Sequence, residues 1–241
     1  VMSYFVFSDI DGTLLDHNNY SLGNLEGYIN EIKNKVSIIF NTSKTFSEVI
    51  KINEKLKLDS PFIVENGACI FFPTNYENIL NNYKLKENFF THKNYFAFKM
   101  TYLTAENLPL MISRLKSIFN FSFYSELTNK EVMKFTNLKI DSVRRSKERL
   151  FTNPILWKDL KEKIIDFKSE IKKIDTNLNV LEGGRFIHIS DNYNKGKALK
   201  KFLEILTPSL KTDFKTISLG DSENDLSMLE STDYSCIVKR E

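Results

Sequence analysis

Only two cysteines occur in the 241 residues, Cys69 and Cys236, too few for a disulfide framework or a structural zinc site. Thiols used so sparingly suit a reducing compartment, so a cytoplasmic protein is expected and a bridge between the two cysteines is not. No stretch reaches the ~18 apolar residues needed to cross a bilayer. The opening segment, VMSYFVFSDIDG, has no basic region ahead of a long apolar run, so neither a membrane partner nor an export signal is expected. Neither sign of charge dominates: 34 Lys and Arg stand against 31 Asp and Glu, a formal charge of +3. Without a long basic block there is no nucleic-acid arm. Internal repeats and low-complexity linkers are also missing. The one tryptophan, Trp157, and the many phenylalanines read as packing residues, not as a nucleotide-stacking platform. What remains is a soluble chain longer than the ~100–150 residues of a typical domain, with room for a core and an insertion.

Short apolar, β-rich runs at residues 4–10, 36–40 and 62–64 each end in polar or turn-forming residues. Between them, 22–32 and 46–58 carry the three-to-four-residue apolar spacing of helices. Strands alternating with helices predict a doubly wound parallel sheet. After Pro73 the pattern changes to an aromatic, Lys- and Asn-rich region, strand-like at 95–102 and helix-like at 108–118 and 159–169. The first pattern resumes near Asn194, with a helix over 196–206 and a strand over 216–219. We therefore expect a core in two pieces, residues 1–80 and 188–241, around an inserted α+β unit at 81–187.

Four local patterns carry chemistry. In SDIDGTLLD, Asp9 and Asp11 stand two apart at a strand end, so an extended backbone sends both carboxylates to one side. Such a pair needs a shared proton or a hard cation such as magnesium between the charges, unless the residues merely cap the turn. Gly220-Asp221-Ser222-Glu223-Asn224-Asp225 places more acids after another strand. Asp221 suits a magnesium ligand, with Asn224 and Asp225 orienting waters or a lysine, while helix capping by Ser222 or Asn224 is the plainer alternative. Lys195, in Asn194-Lys195-Gly196-Lys197 at a helix start, offers an ammonium, backbone N–H groups and the helix dipole to a phosphate; Lys197 reads as solvated. Thr42-Ser43-Lys44-Thr45 offers hydroxyl and amide donors to phosphate oxygens, or a simple N-cap. In a parallel sheet the carboxyl ends of the strands share one crevice, which would bring these patterns together.

Their order, DxD, then Thr/Ser, then Lys, then GDxxND, resembles the four motifs of the haloacid dehalogenase (HAD) superfamily of phosphatases. The resemblance implies a Rossmann-like core with a C2B-type α+β cap that closes over the core site. It implies Asp9 as nucleophile, Asp11 as general acid and base, and Lys195, Thr42 or Ser43, and Asn224 around the phosphate. Magnesium would be held through Asp9, the Asp11 backbone, Asp221 and Asp225. Three further stretches are similar to the mannosyl-3-phosphoglycerate phosphatase family: Ser43-Lys44-Thr45, the segment 149–157, and GGRFIHI leading to NKGKAL. They imply a small-molecule partner, a glycosyl-3-phosphoglycerate or a related phosphosugar, with Arg149 and Arg185 on its carboxylate. Arg149 reads equally as a surface residue of a basic helix, since Arg144, Arg145 and Lys147 precede it. Where that family carries acids beside the arginine, this chain has Leu150 and Asn153. His188, in an alternating apolar strand, reads as a packed or edge residue.

The expected function is thus magnesium-dependent hydrolysis of a sugar-type phosphomonoester through an aspartyl phosphate, by a monomer or weak homodimer. The rivals are a phosphohexomutase or a general hexose-phosphate phosphatase on the same fold and, from another class, a phosphosugar sensor without turnover. Intact Asp9 and Asp11 speak against the sensor.

Overall fold

The structure, a computed structural model, describes residues 3–15, 22–84, 86–183 and 185–239. Asp16, which ends SDIDGTLLD, and Gly184 of GGRFIHI lie outside them. Within the described residues the strands are β1 Ser3–Ser8, β2 Ser37–Asn41, β3 Phe62–Val64, β4 Cys69–Pro73, β5 Phe89–His92, β6 Tyr95–Lys99, β7 Phe121–Phe123, β8 Ile155–Trp157, β9 Asn179–Glu182, β10 Ile187–Ser190, β11 Phe214–Gly220 and β12 Tyr234–Ile237. The helices are α1 Leu25–Ile32, α2 Phe46–Leu56, α3 Glu77–Leu80, α4 Asn107–Ile112, α5 Asn129–Thr136, α6 Ile140–Lys147, α7 Ile164–Ile174, α8 Lys195–Leu206 and α9 Leu226–Leu229.

The chain divides into two units. The first holds residues 1–44, 49–100 and 193–241; the second holds 101–192 together with 45–48. The first is built on an eight-stranded sheet in the order β12-β11-β1-β2-β3-β4-β6-β5. Its first five strands run parallel, and β4, β6 and β5 extend it antiparallel. The near-continuous apolar runs of β1, β2, β3 and β4 follow from burial on both faces. Phe5, Phe7, Ile39, Ile63, Ile70 and Phe72 pack with Ala198, Leu199, Phe202 and Ile205 of α8, and on alternate positions Phe62 stacks on Phe71. Each such buried side chain contributes about 1.5–3 kcal/mol.

The second unit carries a four-stranded antiparallel sheet, β7-β8-β10-β9. Leu108 and Ile112 of α4, with Phe167 and Ile171 of α7, share its core with Phe121, Phe123, Ile155 and Ile187. Trp157 packs against Phe121 and Phe167. A smaller cluster joins Val132 of α5 to Val143 of α6, and α5 begins at a capping box between Thr128 and Glu131.

The boundaries expected near residues 80 and 187 lie elsewhere. β5 and β6 continue the large sheet, because β6 pairs with β4 along Cys69–Pro73, and β10 belongs to the second unit, because it pairs with β9 and β8. Strand pairing between segments distant in sequence decides such borders, and composition does not register it. The helix read over 108–118 also stops early: α4 ends at Ile112 and Ser113–Ser117 winds as a 3-10 turn. No described helix is long and apolar enough to cross a membrane.

Candidate active site

Strand order makes β1 the middle of the parallel part, with β11 and β2 on either side. The chain leaves β1 at Asp9, β2 at Thr42 and β11 at Asp221, all carboxyl ends, where open α/β sheets bind ligands. The Asp9 N–H donates to the Leu219 carbonyl at 3.0 Å, which locks the β1 exit to β11. Next comes a tight loop in which the Leu14 and Leu15 amides donate to the Ile10 carbonyl. Gly12 has φ +77°, and a Cβ there would lie 2.5 Å from Asp221 Oδ2, so glycine supplies both the left-handed backbone and the space that lets Asp221 approach.

Lys195, the first residue of α8, is buried, and its Nζ lies 2.6 Å from Asp9 Oδ1 and 2.6 Å from Asp225 Oδ1. Three features hold it. Asn194 caps α8 by accepting the Lys197 amide at 2.8 Å, Asn41 Nδ2 donates to the Lys195 carbonyl at 3.0 Å, and Gly67, at φ +97°, packs so closely that a Cβ would lie 2.4 Å from the Asn194 carbonyl oxygen. Asp225 accepts the Asp221 and Ser222 amides on its other oxygen, at 3.0 and 3.1 Å. Burial pushes the Asp9 carboxyl up to about 6, with Lys195 pulling it down and the Asp225 charge pushing it further up. Burial lowers Lys195, but Asp9 and Asp225 outweigh it and raise the amine above its ordinary value. Lys195 is therefore a cation across the neutral range.

Asp11 turns a different way. Its Oδ2 pairs with Lys44 Nζ at 2.9 Å, and its Oδ1 is enclosed without a hydrogen-bond partner among the described residues. Thr42 is fully buried and its hydroxyl oxygen accepts the Lys44 amide at 3.2 Å; Ser43 is half-buried. Asn224 accepts from the Ser222 hydroxyl at 2.6 Å and donates to Asn66 Oδ1 at 3.0 Å, so its amide links the β11 loop to the turn after β3. Sequence reading gave no role of its own to two participants: Lys44, quoted only as part of the Thr42–Thr45 pattern, and Asn66. Lysine is common in this chain, and Lys44 drew notice only within Ser43-Lys44-Thr45, not for a charge of its own; Asn66 sat in a plain turn signal, Glu65-Asn66-Gly67.

Asp9, Asp221 and Asp225 each bring a carboxylate oxygen within 4.8 Å of the others, while the Asp11 side chain stays outside that cluster. Both Asp225 oxygens are engaged, one on Lys195 and one on backbone amides. Asp9 gives Oδ1 to Lys195 and Asp221 accepts the Thr13 hydroxyl at 3.4 Å, so all three acids remain candidate carboxylate donors to a cation. Four carboxylates, Asp9, Asp11, Asp221 and Asp225, face two ammonium groups, Lys44 and Lys195. An all-oxygen donor set with surplus negative charge fits a hard divalent ion.

The two arginines singled out from the sequence belong to the second unit. Arg149 is half-buried, its Nε donating to Thr152 Oγ1 at 2.8 Å. Arg185 is exposed at the β9–β10 turn, where the Gly183 amide bonds the Phe186 carbonyl. His188 Nδ1 is buried without a partner among the described residues. Burial, with Arg149 adding, lowers the ring to about 4.

Comparison with known proteins agrees with this layout. The family description of haloacid dehalogenase-like hydrolases matches residues 6–240, and the chain belongs to that family. Among characterised relatives, the glucosyl-3-phosphoglycerate/mannosyl-3-phosphoglycerate phosphatase of Persephonella marina is 32% identical over 235 residues, 97% of this chain and 84% of that protein. The enzyme of the same name from Methanococcoides burtonii is 32% identical over 251 residues, 99% of this chain and 86% of that protein. Among solved structures, TM0651 from Thermotoga maritima superposes with a TM-score of 0.66 at 19% identity, over 100% of this chain and 88% of its own.

Proposed function

We propose that this enzyme hydrolyses the phosphate ester of a glycosyl-3-phosphoglycerate, glucosyl or mannosyl, with magnesium as its metal. The observation that carries the reading is the buried Lys195 ammonium held 2.6 Å from Asp9, beside the Asp221 carboxylate at the carboxyl end of a parallel sheet. In this reading Asp9 is the nucleophile. Its carboxylate oxygen bonds to phosphorus as the bond to the leaving oxygen breaks, and the proton that oxygen needs comes from Asp11. Asp11, now a carboxylate, takes a proton from the water that opens the aspartyl phosphate, and phosphate leaves. Splitting the transfer into two steps lowers each barrier, and proton transfer from a placed carboxyl contributes about 10²–10⁴-fold.

Lys195 neutralises a phosphoryl oxygen, Asp225 keeps that ammonium in place, and the Thr42–Ser43 loop offers further donors. Magnesium, held by Asp9, Asp221 and the Asp11 backbone, would supply charge neutralisation for the transferring group. We assign substrate choice to the second unit, with Arg149 and Arg185 as the guanidinium groups suited to a carboxylate.

The test is phosphate release from glucosyl- and mannosyl-3-phosphoglycerate and from hexose phosphates, with and without magnesium, with Asp9→Asn as the blank. Preference for a glycosyl-phosphoglycerate supports the full reading. Release from hexose phosphates alone keeps the chemistry and rejects the substrate, and no magnesium-dependent release from any of them rejects both.

A further inference from the structure

Among the described residues, only the turn after β3 places three left-handed residues in succession: Glu65, Asn66 and Gly67, at φ +50°, +63° and +97°. Glycine enters that region freely and asparagine tolerates it, but a glutamate, here fully buried, does so only under constraint. Such backbone persists where its surroundings over-determine it, and here they do. The Glu65 amide donates to the Lys44 carbonyl at 3.0 Å and the Asn66 amide to the Thr42 carbonyl at 2.9 Å, both in the loop after β2. Gly67 packs against the Asn194 carbonyl and the Lys195 amide at the start of α8. The Asn66 side chain reaches the loop after β11, where its Oδ1 accepts Asn224 Nδ2 at 3.0 Å. One turn therefore touches all three segments that carry Thr42, Lys195 and Asn224.

Asn224 is exposed, and an exposed side chain that must meet a ligand loses rotamer freedom on binding unless it is held beforehand. Here both ends of its amide are held: Oδ1 accepts the Ser222 hydroxyl at 2.6 Å, and Nδ2 donates one N–H to Asn66. A planar amide pinned at those two atoms has its second N–H fixed in direction, and that N–H has no partner among the described residues. We propose that Asn66 is a positioning residue of the phosphate site: its side chain tethers Asn224 so that the remaining N–H is preorganised for a phosphate oxygen, while the backbone of the same turn fixes the Thr42–Ser43 loop. The proposal rests on the reading of Asn224 as a phosphate contact. Asn66 itself touches no substrate atom and exchanges no proton; it acts through Asn224.

The experiment measures the dissociation constant of inorganic phosphate by calorimetry with magnesium present, which does not depend on the organic part of the substrate. Asn66→Gly removes the side chain and keeps the left-handed backbone; Asn66→Asp keeps an accepting oxygen and tolerates the same φ. Asn224→Ala is expected to weaken phosphate about tenfold or more, as for a lost hydrogen bond to a charged group, and Asn66→Gly about 3- to 10-fold. The double variant Asn66→Gly with Asn224→Ala should bind within about twofold of Asn224→Ala alone, since the two side chains act as one unit. In the Asn66→Asp background, Asn224→Ala should cost within about twofold of what it costs in the parent, a comparison in which the added charge cancels. That series carries the test if Asn66→Gly folds poorly by circular dichroism. A purely structural Asn66 would lose the same factor with or without Asn224, so multiplying losses in the double variant, or unchanged affinity in Asn66→Gly, overturn the proposal. If Asn224→Ala leaves the affinity unchanged, the reading of Asn224 fails and the proposal with it; a parent that binds no phosphate rejects the phosphatase reading as well. Both are distinguishable from failure at Asn66 alone.

Discussion

Replacing Asp225 by Asn removes one charge and almost no volume, and we expect it to be among the most damaging conservative changes in the first unit. Asp225 is fully buried, and every partner it has is a donor: Lys195 Nζ at 2.6 Å on Oδ1, and the Asp221 amide, Ser222 amide and Ser222 hydroxyl at 3.0, 3.1 and 3.2 Å on Oδ2. An asparagine must turn its NH2 toward one of these sets. Either the ammonium meets a donor or two backbone amides do, and a broken buried ion pair costs about 3–5 kcal/mol. For a chain of this size, at about 2–4 °C per kcal/mol, the melting temperature should fall by roughly 6–20 °C. Asp225→Ala should be no worse, since it leaves the donors unpaired without adding another. Lys195→Met combined with Asp225→Ala should cost at least ~1 kcal/mol less than the sum of the two singles, because they share one interaction. Thermal unfolding by circular dichroism measures the parent and all four variants. An Asp225→Asn protein within about 1 kcal/mol of the parent, or strict additivity in the double variant, would refute the reasoning.

Three further outcomes are expected. His188 is lowered to about 4 by burial, with the charge of Arg149 adding, so between that value and its unfolded value near ~6.5 the unfolded chain binds the proton that the folded chain refuses. Stability should be complete above about pH 6.5 and fall by roughly 1–3 kcal/mol toward pH 4; His188→Gln should flatten that part of the urea-midpoint profile, and an unchanged slope rules out this source. Gly67→Ala should destabilise by at least ~2 kcal/mol and lower kcat, since it combines a left-handed backbone with a 2.4 Å approach to the Asn194 carbonyl. Gly23→Ala, with φ +50° and nothing within 4 Å, should cost only ~1–2 kcal/mol and leave kcat alone; equal effects on kcat would contradict the role given to Gly67. Finally, Asp9 is pushed up to about 6 by burial first, so below that pH a cation must displace a proton. Magnesium affinity by calorimetry should fall about tenfold per pH unit there, and a flat profile would count against Asp9 as a ligand.

Much of the first unit was legible because its signals are local. A buried strand shows as a run such as Phe62–Val64, found at those residues, and a helix as apolar spacing, found over Phe46–Leu56 where 46–58 was read. The site was legible in part for the same reason: Asp9, Asp221 and Lys195 stand at strand and helix ends that punctuate the sequence. Lys44 and Asn66 were not, since their significance is a distance to Asp11 or Asn224 across scores of residues. The borders of the two units were misplaced because the aromatic alternation of Tyr95–Lys99 reads alike in either sheet, and only its pairing with β4 assigns it.

By itself the sequence determined the strand-and-helix alternation and the acidic, basic and hydroxyl residue types that stand at the strand and helix ends, because each depends on neighbours a few positions apart. Tertiary structure decided the division of labour among the acids. Asp11 pairs with Lys44 and stands apart from the cluster, Asp225 is committed to Lys195 and two amides, and Asp9 shares that lysine while Asp221 meets the Thr13 hydroxyl. Four chemically identical carboxylates differ only in burial, in the charge beside them and in the donors that reach them, and those are properties of packing.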